Sequence, residues 1–168
     1  MDSSAKPHTM DTEATLFDLI DEIVSLATDL GEGDQDYVEA TIMVRLDALV
    51  LAIYQAVPQS DFAEDLDLPE VDVRALRSVL SQRFPRWGTY NTVMSVTDDM
   101  GETELALGNA IDDLTDILSE LLTVRSARTS LDESQAQWLL IDGFYNFWRG
   151  PLRSLQLFLH YLEIEAEA

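Results

Sequence analysis

Apolar residues recur at three- and four-residue spacing along most of this chain, and the interruptions of that rhythm divide it into helices. Leu16, Leu19, Ile20, Ile23, Val24, Ala27 and Leu30 alternate with acids and stop at Gly31, which predicts an amphipathic first helix. A second helix starts near Asp34 or Asp36 and runs to about Ala56, ahead of Pro58. Between Ala40 and Val57 only Arg45 and Asp47 are charged, and apolar residues lie on every face, so this helix is expected at the centre of the fold. Residues 59–70 are acidic, contain Pro69 and read as a surface connection.

A third helix carries Val73, Leu76, Val79, Leu80 and Phe84 and closes at Pro85. Residues 86–100 are the least helical, and a short ordered loop anchored by Trp87 and Tyr90 is expected there. A two-stranded hairpin is disfavoured because a lone hairpin is marginal. The fourth helix is placed at residues 102–124, with Leu107, Ala110, Ile111, Leu114, Ile117, Leu118 and Leu121 as its stripe. Ser130 and Glu133 have capping-box spacing and should open a fifth helix holding Trp138, Phe144 and Trp148. Gly150 and Pro151 should break it, and a sixth helix then carries Leu152, Leu155, Phe158, Leu159 and Leu162. The expected fold is all-α, an irregular bundle of about six helices, with a tail over residues 1–11 and one helical domain over residues 12–165.

Composition narrows the chemistry. The 168 residues are 46% hydrophobic, enough for a core, and cysteine is absent, which excludes thiol nucleophiles, disulfides and cysteine-held metals. Acids outnumber bases 32 to 10, a formal charge of −22, so neither nucleic acid nor an anionic membrane is an expected partner. The one basic island, Arg74, Arg77, Arg83 and Arg86, is read as pairing with acids of the same fold. With no signal-like leader in the first residues and no uncharged stretch of bilayer length, a soluble cytoplasmic protein is expected.

Asp112, Asp113, Leu114, Thr115, Asp116 and Ile117, followed by Glu120 and Leu121, resemble the "DDLADIYRDL" segment of a bacterial family, domain of unknown function 5063. Trp138, Phe144, Trp148 and His160 keep the spacing of that family's Trp, Phe, His-Trp-Gly and terminal His positions, although its His and Gly beside the Trp are Phe147 and Arg149 here. The resemblance spans most of the chain and implies a helical bundle without an established activity.

Candidate chemistry is sparse. Asp112, Asp113 and Asp116 form a DDxxD string of the kind isoprenoid synthases use to hold magnesium, but no facing carboxylate motif accompanies it, and the acid spacing of all-α nucleotide pyrophosphohydrolases is not reproduced. On a helical wheel Asp116 points to water, while Asp113 and Glu120 flank the buried stripe where a neighbouring arginine can reach them. Arg45 needs a carboxylate from another element and is read as half of a buried pair, because Asp47 lies on another side of the same helix. His160 is read as packed or half-exposed, and Trp148 with the nearby aromatics as core.

The candidate binding residues are therefore Arg45, Asp113, Asp116, Glu120, Trp148 and His160; no catalytic residue, resident metal or cofactor is assigned. The leading expectation is a non-enzymatic module that contacts another protein, and exposed apolar surface on a helix would favour a homo-oligomer. The alternatives are a metal-dependent phosphohydrolase centred on Asp112, Asp113, Asp116 and Glu120, and an inhibitor whose carboxylates mimic DNA phosphates.

Overall fold

The computed structural model describes residues 15–31, 33–56, 67–98 and 101–166. The expected tail at residues 1–11 and most of the expected connection at 59–70 lie outside them. Helix α1 (Leu16–Thr28) opens on Thr15, whose hydroxyl accepts from the Asp18 amide while the Asp18 carboxylate accepts from the Thr15 amide, a reciprocal cap. Its inner face packs on helix α2 (Gln35–Gln55), which is capped by Asp34.

The sequence expectation for α2 fails in its position. The helix buries Val38, Ile42, Leu46, Leu49 and Ile53 against the core but leaves Tyr37, Val44, Leu51 and Tyr54 exposed, Val44 by 62%. Scarcity of charge marks a helix with apolar surface to spare, and that surface need not all be covered. The centre belongs to helix α4 (Ala110–Ser130), whose Leu114, Ile117, Leu118 and Leu121 are fully buried and which packs against α1, α3 (Val73–Arg83) and the C-terminal helices.

Between α3 and α4 the chain forms an antiparallel hairpin, β1 (Thr89–Val93) and β2 (Leu105–Asn109), with Tyr90 opposite Gly108. Both the loop and the early start of the fourth helix are corrected here. Residues 105–109 are strand, Leu107 is 76% exposed, and α4 begins only at Ala110, where Asn109 caps the amides of Ile111 and Asp112. The hairpin persists because it is not alone. The Ala110 amide donates to the Gly88 carbonyl, Trp87 stacks on Phe84 at 4.3 Å, and the Tyr90 ring packs on Phe158 at 5.3 Å. Trp87 and Tyr90 are thus the anchors expected of this segment, in a strand setting.

Helix α5 (Glu133–Gly143) is capped by Asp132, which accepts from the Gln135 amide, while the Ser130 hydroxyl donates back to the Ser126 carbonyl and caps nothing. From α5 the chain continues through a π turn (Phe144–Trp148) into α6 (Arg149–Ala166) without the break expected at Gly150 and Pro151. Proline lacks an amide hydrogen and its ring crowds the carbonyl one turn earlier. The π turn shifts the hydrogen-bond ladder at that point, with the Arg149 amide reaching the Phe144 carbonyl, so the helix carries the proline. Among the described residues there are therefore five helical bodies and one hairpin around a single hydrophobic core, and no helix is long and apolar enough to cross a membrane.

Candidate functional site

The acidic string on α4 does not act as a unit. Arg77 of α3 pairs with Asp112 at 2.5 Å, so the neighbouring arginine reaches Asp112 rather than Asp113 or Glu120. Asp113 instead accepts a 2.5 Å hydrogen bond from the Tyr90 hydroxyl. Burial pushes its carboxyl up to about 6, against the Tyr90 bond, which lowers it, and with further upward repulsion from Asp116 and Asp112. The Tyr90 phenol is raised to about 12, chiefly by burial. Asp116 is exposed, as its wheel position predicts, and is raised by residual burial and by Asp112; Glu120 is raised by burial, Asp116 and Asp142.

Among the described residues no three acids or histidines form a group that could hold a metal ion. Phosphate chemistry would also require a cation beside these acids, and the arginine that approaches them is engaged with Asp112. Glu120 faces Gly143 of α5: a Cβ at that position would lie 3.0 Å from Glu120 Oε2 and 3.5 Å from Trp148 Nε1. Trp148 and Phe144 are buried in the core as expected, whereas Tyr145 and Phe147, read as core with them, are exposed on the outer side of the π turn; the Trp148 indole N–H has no acceptor among the described residues.

Arg45 pairs with Glu22 of α1, as its need for a carboxylate from another element predicts, but the pair is not buried: the side chains are 40% and 44% exposed. Arg45 Nε lies 2.7 Å from Glu22 Oε2 without the alignment of a hydrogen bond, so the contact is coulombic and at the surface. The basic island resolves mostly as internal pairing. Arg86 bridges Asp36 and Glu39 of α2, and Arg83 donates long hydrogen bonds to the Leu26 and Gly31 carbonyls around the end of α1.

His160 stands apart from the acidic string, in a different part of the molecule. Tyr54 near the end of α2 meets Phe144 of the π turn at 5.6 Å, Gln156 of α6 donates to Asp47 further back on α2, and Leu162 and Glu163 line the same groove as Asp36 and Glu39. The two helices therefore run antiparallel, and they leave a groove of about 800 Å³ between them. Ala40, Met43, Leu159 and Leu162 form its apolar lining; Asp36, Glu39, Asp47 and Glu163 supply carboxylates, and His160 and Arg86 complete it. A smaller cleft of about 350 Å³ lies on the other flank of α6, between Tyr90 of the hairpin and Phe158, Tyr161 and Leu162.

Of the sequence candidates, only His160 lines the larger groove. The residues that sequence reasoning missed are Met43, Asp47, Gln156 and Leu159. Their signal is spacing: positions 36, 40, 43 and 47 share one face of α2, and 156, 159, 160 and 163 share one face of α6. Chemically the groove offers acceptors, an apolar floor and one exposed imidazole, while its guanidinium is already paired and its lining carries neither hydroxyl nor thiol. That inventory suits binding better than covalent or hydrolytic turnover. No family model, curated protein or solved structure matches the chain, so its own geometry carries the functional reading.

Proposed function

We propose that this protein is an interaction module that holds a segment of another protein in the groove between α2 and α6. The groove itself carries the reading: it combines apolar side chains that α2 and α6 do not bury against each other with a set of carboxylates around them. Such a surface gains by covering its apolar strip, at roughly 25 cal/mol for each Å² removed from water, while the polar margin fixes orientation. The acids on α4 support a phosphohydrolase less well, since they are divided between Arg77, Tyr90 and solvent.

Placing a photoreactive side chain at Met43 and, separately, at Leu159 tests this in the producing cell. The expected result is one partner segment crosslinked from both positions and lost when Ala40→Trp fills the groove, with no such product from position 125 on α4. Equal crosslinking from position 125, or none from either groove position, would overturn the reading.

A further inference from the structure

We infer that the segment accepted by this groove is a cationic amphipathic helix of a different protein. The inference rests on the groove being a docking site and adds the chemistry of its occupant.

Two features specify a helix. Both walls are helices whose backbone amides and carbonyls are already paired within each helix, so the groove has no open strand edge on which an extended peptide could add. The lining also runs lengthwise: Asp36 to Asp47 covers three turns of α2, about 16 Å at 1.5 Å per residue, with Ala40 and Met43 as its apolar middle and acids at both ends, which suits a short helix whose apolar face is flanked by charge. Met43 and Leu159 are unbranched at Cβ and adapt their rotamers to an inserted side chain.

Charge specifies the sign. Asp36 and Glu39 share the single guanidinium of Arg86, whereas among the described residues Asp47 meets the neutral amide of Gln156, whose oxygen in turn accepts from Arg153 outside the lining. Four carboxylates thus stand against one cation in the lining, within the field of a chain whose formal charge is −22. Lys or Arg side chains flanking an apolar stripe would lay their stems along Leu159 and Leu162 and place their charges on Asp47 and Glu163.

The same charges disfavour occupants from this chain. A second copy docked groove to groove would bring carboxylates against carboxylates. The stretch 57–66 carries Asp61, Glu64 and Asp65 without a base, and the first 14 residues carry Asp2, Asp11 and Glu13 against Lys6.

The test uses the purified full chain and three synthetic helices of about 14 residues that share one leucine stripe and differ only in flanking Lys, Gln or Glu. Binding is read by fluorescence anisotropy at about 150 mM sodium chloride, where long-range attraction is screened. The Lys peptide should bind about tenfold more tightly than the Gln peptide, and the Glu peptide should not bind. Ala40→Trp should weaken the Lys peptide at least tenfold, and the exposed double variant Asp47→Asn/Glu163→Gln should bring it to the level of the Gln peptide. Glu102→Gln, an exposed acid outside the groove, should leave it unchanged.

Circular dichroism melting of each variant separates lost binding from lost folding, and the double variant carries the test if Ala40→Trp unfolds. If Gln and Lys peptides bind alike and Ala40→Trp weakens both, the docking groove stands and its charge selectivity is refuted. If Ala40→Trp folds and weakens none of the three, or if none binds, the groove reading falls with the inference.

Discussion

Asp113→Asn isolates the most perturbed carboxylate among the described residues. Asp113 is raised from 3.8 to about 6, mainly because burial penalises its charge. For a group whose folded pKa is raised, the stabilising contribution is complete below the unfolded value and is lost as pH climbs through the folded one. Below pH 4 the neutral carboxyl is therefore favourable, and by pH 7.5 the ionised form weighs against folding. Two units at about 1.4 kcal/mol each set a ceiling near 3 kcal/mol. The group is close to half solvated, so screening reduces this to about 1 kcal/mol.

Asparagine carries no charge at any of these pH values, and its amide oxygen can accept from the Tyr90 hydroxyl in place of the carboxylate. The variant should therefore melt about 2–4 °C above the parent at pH 7.5, the shift expected of 1 kcal/mol in a chain of this size. That gap should close as pH falls from 7 towards 4, because only the parent gains the proton. Paired melts across this range cancel most of the contribution of acids present in both proteins. A variant less stable than the parent at pH 7.5, with a difference indifferent to pH, would show that the charged hydrogen bond to Tyr90 outweighs burial, and the reasoning would be wrong.

A Cβ at Gly108 would fall 2.2 Å from Tyr90 Cζ, so Gly108→Ala should cost about 1–3 kcal/mol in urea unfolding, and a smaller loss in a Tyr90→Ala background would confirm the clash. Pro151→Ala should change stability by less than about 1 kcal/mol, well under the ~3 kcal/mol of an unaccommodated helix proline, because the π turn already absorbs it; a gain near 3 kcal/mol would contradict that. The net charge of −22 should make the melting temperature rise from about 10 to 150 mM sodium chloride and then flatten. A fall with salt would place the arginine pairs, such as Arg77 with Asp112, above the net repulsion.

Local pattern revealed the helices because helix formation is local: α1, α3 and most of α4 begin or end near punctuating residues such as Gly31 and Pro85. The hairpin was hidden because its inner face is not built from large apolar side chains. Gly108 is covered by the ring of Tyr90 from the opposite strand, while Leu105 and Leu107 face outwards and mimic the start of the α4 stripe. Asn109, the actual cap, marked the boundary in the sequence but was outweighed by that false periodicity.

The continuity of α5 and α6 depends on a π turn that no residue type announces. For the groove, each stripe was legible on its own helix. Their adjacency across residues 36 to 163, and the fact that neither covers the other, arise only from tertiary packing, with α2 laid on α1 and α6 on α4.

The central claim, that the α2–α6 groove is where this protein meets its partner, is tested most directly by methyl NMR during titration with the cationic amphipathic peptide. Saturable shifts should concentrate on the methyls of Ala40, Met43, Leu159 and Leu162, with those of Leu105 and Leu107 on the hairpin unmoved. Shifts centred on the hairpin, or scattered over the acidic surface without saturation at the groove methyls, would contradict the account.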